Sequence, residues 1–134
     1  MSLTRPLRLV LYLLSSVFMV LGGFFVVDPQ PAATFYGLRT NDATALFYVR
    51  AVGLRDLALA TYLLGLTLLG QRRALSIVLA GTILIPVGDI LLLVASGSGQ
   101  TVHYLLHGAS LACFASLALW SRRAARHQDR HGHC

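Results

Sequence analysis

Long apolar runs separated by short polar breaks give this chain its pattern. The first, Leu9 to Val27, is uncharged and at about 1.5 Å per residue nearly crosses a hydrocarbon core of about 30 Å. Asp28-Pro-Gln-Pro31 stops it, because proline has no backbone donor and disfavours helix in the residue before it. A second run covers about Ala43 to Leu69, with Asn41 or Asp42 placed to cap its first turn. Gln71-Arg-Arg73 turns the chain tightly into a third run, about Ala74 to Ala95. Inside it Pro86 removes one backbone bond and crowds the carbonyl of Thr82, which predicts a kink. After the flexible Ser96-Gly-Ser-Gly-Gln100, a fourth run spans about Thr101 to Trp120, whose indole suits a membrane interface. The pattern predicts an all-α, four-helix transmembrane bundle over residues 1–120, followed by a basic, partly disordered cytoplasmic tail over 121–134.

Between the first two spans, Ala32-Ala-Thr-Phe-Tyr-Gly-Leu38 has the apolar and aromatic content of a short interfacial helix. Tyr36 would sit at headgroup level and Gly37 would end the helix. Such a segment suits either a loop packed on the mouth of the bundle or a lid. Arg5 and Arg8 ahead of the first run would also suit a secretory leader, but the run is long for one and is read as a span.

Composition agrees with a membrane domain: of 134 residues, 56% are hydrophobic and 12% charged, against about 25% charged in ordinary soluble domains. All 11 basic residues are arginines and all 5 acidic ones aspartates. The net charge of +6 comes from arginines at the edges of apolar runs, which is a topology signal and not a nucleic-acid footprint. Arg5, Arg8, Arg72, Arg73, Arg122, Arg123, Arg126 and Arg130 fall on one side and Arg39 on the other. That asymmetry predicts both termini in the cytoplasm of a multi-pass cell-membrane protein. Cys113 and Cys134 have neither the spacing of a redox pair nor a disulfide framework and are read as free thiols.

Charge inside the spans is what the fold alone does not require. Arg50-Ala-Val-Gly-Leu-Arg-Asp56 puts two arginines and an aspartate in the second span, and ionised groups at membrane depth usually face a bundle interior or a wet cavity. By helical rise Arg55 and Asp56 lie near the midplane, Arg50 about 8 Å nearer the outside, and Asp89 and His107 in the same outer half. Gly53 falls between Arg50 and Asp56, where a helix or ligand can approach closely. An Arg50–Asp89 ion pair is expected, with Arg55 held by Asp56, by carbonyls or by snorkelling. His103, His107 and Ser110 share one face of the fourth span, and Tyr48, Tyr62 and Tyr104 offer further hydroxyls. Gly53, Ala58, Ala109 and Ala112 are the expected small packing residues.

These residues predict a polar pocket walled by the second, third and fourth spans. Asp56 and His107 are the acid/base candidates. Arg50, Arg55, Asp89, Tyr36 and Tyr104 are the candidate binding groups. The implied activity is isomerisation, cyclisation or cofactor-free oxidation of a small lipophilic ligand drawn from membrane lipid. The alternatives are a subunit whose ion pairs only hold the bundle, and a small carrier, although the inner half is nearly all Leu, Ala and Val. A metal shared by His103, His107 and a carboxylate is the sharper variant, as is a site on the tail residues His127, His131, His133 and Cys134; neither is expected, nor any cofactor. His103 is expected as a wet boundary histidine, and a homo-oligomer is compatible with such a bundle.

Phe35-Tyr36-Gly37-Leu38, the Arg50-x-x-Gly-x-Arg-Asp56 core, Asp89 and His107-Gly108 together resemble a family of small four-span membrane proteins catalogued as a domain of unknown function. More distantly the layout resembles DoxX-like proteins and the small membrane anthrone oxygenases of polyketide pathways. The resemblance covers about Thr34 to Trp120 and implies the fold more firmly than an activity.

Overall fold

The computed structural model describes residues 4–97 and 99–131, with side chains as far as residue 123. Its elements are α1 (Arg5–Val27), α2 (Pro29–Tyr36), α3 (Ala43–Leu68), α4 (Arg72–Thr82), α5 (Leu84–Ser96) and α6 (Thr101–His131). Among the described residues there is no strand. Among the same residues four helical stretches, with α4 and α5 counted as one, are long and apolar enough to cross a membrane.

The local signals act where the sequence puts them. Asp42 caps α3, its Oδ2 accepting from the backbone N–H of Ala45 at 2.7 Å. Pro86 cannot donate to the carbonyl of Thr82, and the helix breaks there, between α4 and α5. The third span is therefore two helices. Gly37 ends α2 with φ 107°, and Leu38 N–H donates to Ala33 carbonyl at 2.8 Å. This left-handed cap is open to glycine almost alone.

α1 packs along α3, and α4 and α5 pack along α6, so the bundle is two antiparallel pairs joined chiefly where α3 meets α4. The first pair is set by a glycine contact. A Cβ on Gly53 would lie 2.7 Å from Gly22 carbonyl oxygen, and one on Gly22 would lie 2.7 Å from Gly53 carbonyl oxygen. Without a hydrophobic drive between helices in lipid, such backbone approach supplies the packing contacts. Gly53 is the small residue that packs as expected. Ala109 and Ala112 are instead exposed, because α6 turns His103, His107, Phe114, Leu117 and Ala118 inward.

One apolar core, built from Leu7, Leu11, Leu59, Leu63, Leu75, Leu79 and Phe114, fills the half of the bundle near the α3–α4 turn. A smaller one, Phe25, Ala32, Ala33 and Val49, seats α2 on the opposite end. Leucines such as Leu9, Leu13, Leu68 and Leu92 stay exposed on the outside, as a lipid-facing surface requires. The last helix runs past Trp120 to His131, since Arg, Ala and Gln carry good helix propensity of their own. The side chains of His127 and His131, with His133 and Cys134, lie outside the described residues.

Candidate functional site

Between the two cores lies a polar layer centred on Asp89 of α5. Its Oδ1 accepts a hydrogen bond from the hydroxyl of Tyr36 on α2. Oδ1 also lies 4.0 Å from Nη1 of Arg55 on α3, and Oδ2 lies 3.5 Å from Nδ1 of His107 on α6. Three other elements thus converge on one buried carboxylate. Arg55 is held mainly by its chain neighbour: Nε and Nη2 both lie 3.0 Å from Asp56 Oδ1. Consecutive helical residues diverge, so the long arginine stem folds back to make this pair.

The expected Arg50–Asp89 pair does not form. Arg50 is exposed, and among the described residues Asp89 pairs with Arg55 and His107. Angle gives the reason. Gly53 faces α1, and Arg50 and Asp56 lie about 60° to either side of it. The flank carrying Asp56 and Arg55 turns toward α5, and the flank carrying Arg50 turns out of the bundle.

Tyr36, at the end of α2, is half-buried. It reaches inward, its ring standing edge-on to His107 with centroids 5.1 Å apart and to Phe25 at 5.9 Å. Burial, and then the hydrogen bond to Asp89, raise the phenol well above its ordinary pKa, so Tyr36 remains a donor. Gly37 makes this reach feasible a second way: a Cβ there would press within 3.1 Å of the His103 ring.

His103 is buried at 8% exposure, not wet, and its Nδ1 accepts from the backbone N–H of Gln100 at 3.1 Å. That bond ties it to the start of α6. Among the described residues no three His, Cys, Asp or Glu side chains are grouped to hold a metal ion. Tyr104 stands over Gly99 in the connector, away from the polar layer, where a Cβ would meet its hydroxyl.

A cavity of about 110 Å³ opens beside this layer. Asp56, Arg55, Asp89, His107, Ser110 and Tyr36 line it; Arg50 and Tyr104 do not. Its walls include α1 and α2 as well as the three expected spans, through Phe18, Leu21 and Phe25 on α1 and Phe35 on α2. Phe114 on α6 completes the apolar side and meets Phe18 with ring centroids 5.5 Å apart. A helical signal for part of this lining was present: Phe114 is seven residues beyond His107 and Phe25 seven beyond Phe18, spacings that return to the same helix face. Nothing in the sequence said which faces would meet.

The imidazole of His107 is 6% exposed, and its Nε2 is buried without a hydrogen-bond partner. Buried polar atoms are rarely left so. With Nδ1 turned to Asp89, the neutral ring would carry its proton on Nδ1 and leave the Nε2 lone pair unused.

Fold and site together define a four-span helical membrane protein with a buried Arg/Asp/His/Tyr cluster under a short capping helix. The chain belongs to the family described as a domain of unknown function, DUF4267, whose model matches residues 15–121. No curated protein and no solved structure matches it.

Proposed function

We propose that this is a cell-membrane protein, with both termini cytoplasmic, that admits a small lipophilic molecule from the bilayer and moves a proton on it. His107 is the acid/base group. Asp89 orients it through Nδ1, so that Nε2 takes a proton from the substrate and returns it to another atom, as isomerisation or cyclisation requires. Asp56 keeps Arg55 in place, and Tyr36 holds Asp89 from above. The observation that carries this reading is the unpartnered, buried Nε2 of a histidine on a cavity wall. A cluster serving only to hold helices together would be expected to satisfy its own donors and acceptors.

The cavity volume is below the roughly 300–1,000 Å³ of sites that enclose a whole drug-sized ligand. It therefore takes the reactive head of a molecule whose remainder stays among the exposed leucines and lipid. Thermal-shift measurements on detergent-solubilised protein, with a panel of small lipophilic phenols, ketones, quinones, acids and amines, test the reading. Stabilisation by at least one class, lost in His107→Ala, is the expected result. A flat panel would sink it.

A further inference from the structure

The polar layer is one positive charge short. Around the cavity the charged and titratable groups are Tyr36 on α2, Arg55 and Asp56 on α3, Asp89 on α5 and His107 on α6; α1 and α4 contribute none. Two carboxylates thus face one guanidinium, which both of them already engage. Arg50, which would have balanced the count, is exposed outside it. An uncompensated carboxylate at membrane depth is costly. Some cation must complete the layer, and the one that the layer's own groups can hold is a proton.

The rest of the cavity wall mixes aliphatic side chains such as Leu21, Leu59 and Leu106 with a set of aromatic rings. Phe18, Phe25, Phe35, Tyr36 and Phe114 all contribute to it, and the faces of aromatic rings attract organic cations and repel anions. An anionic ligand would meet no free cation among the described lining residues. We infer that the substrate of this site is a lipophilic amine in its protonated form, seated among these rings with its N–H directed to His107 Nε2 and its charge matched to Asp89. The inference rests on the proton-transfer reading above and names its substrate class. As the ammonium enters, the proton held in the layer leaves to solution, so charge is conserved: one cation in, one proton out.

Charge-matched probes on the detergent-solubilised full chain test this by calorimetry. N,N-dimethylbenzylamine is the protonated amine. Benzyltrimethylammonium keeps the charge without the N–H, neopentylbenzene is its uncharged carbon isostere, and phenylacetate carries the opposite charge. The amine is expected to bind tightest, at least tenfold tighter than neopentylbenzene, with benzyltrimethylammonium between them and phenylacetate not bound. Affinity for benzyltrimethylammonium should rise with pH by up to about tenfold per unit while one proton is displaced, then level off. Buffers of different ionisation enthalpy should report that released proton. Asp89→Asn should abolish the preference for cations. Should that variant not fold, Phe35→Leu, at a half-exposed position, should weaken both ammonium ligands several-fold and leave neopentylbenzene unchanged. Equal or tighter binding of neopentylbenzene or phenylacetate, or cation binding without proton release, overturns the amine assignment. The proton-transfer reading stands or falls separately, on whether His107→Ala removes the stabilisation seen in the wider panel.

Discussion

The hydroxyl of Tyr36 donates to Asp89 across 53 positions of sequence, tying the short capping helix to the kinked third span. This one bond closes the top of the polar layer and sets where the Asp89 carboxylate stands relative to His107.

Tyr36→Phe removes that donor and leaves a buried carboxylate oxygen short of a partner, a loss of about 1–3 kcal/mol. A lowered melting temperature in detergent, with helix content unchanged by circular dichroism, is the expected result. An unaltered melting temperature would show that the bond contributes nothing.

The same phenol predicts a pH dependence. Its folded-state pKa is raised, by burial first and by Asp89 second. The stability it contributes is therefore fully present below the unfolded value of about 10 and is lost as pH rises beyond it. Tyrosine ultraviolet titration should show a fraction that resists ionisation above the ordinary tyrosine range. Tyr36→Phe should remove the resistant fraction.

Arg55 and Arg50 are expected to behave oppositely. Arg55→Ala strips Asp56 of its nearest cation, which costs about 1–3 kcal/mol after allowing for the solvent screening of a partly exposed guanidinium. Arg50→Ala, on an exposed flank, should stay within about 0.5 kcal/mol of the parent. Thermal melts of the two variants side by side would decide it, and a larger loss at Arg50 would contradict the pairing described.

Gly53→Ala sets a methyl group against the backbone of α1 and should destabilise by about 1–3 kcal/mol or prevent assembly of the bundle. Gly65→Ala on the same helix meets nothing within 4 Å and should be neutral or raise stability by up to about 1 kcal/mol. Equal melting temperatures for the two variants would mean that α1 and α3 do not pack as described.

The proposed orientation is open to cysteine labelling in a background with Cys113 and Cys134 replaced by serine. Arg39→Cys should react with an impermeant maleimide on intact cells, and Gln71→Cys only after permeabilisation. The reverse pattern would invert the topology.

The sequence by itself determined the spans, because hydropathy, proline and helix caps act within a few residues of where they stand. The Asp42 cap and the break imposed by Pro86 were legible for that reason. So was the placing of Asp89 and His107 in one half of the bundle, since helical rise converts residue number into height. Rotation and neighbours were not legible. Whether Arg50 or Arg55 met Asp89 depended on which side of α3 turned toward α5, and the close approach of Gly22 and Gly53 fixes that side. The inward reach of Tyr36 and the contribution of α1 to the cavity wall arise the same way. These are angles between helices distant in sequence, set by packing that forms only once the whole bundle is assembled.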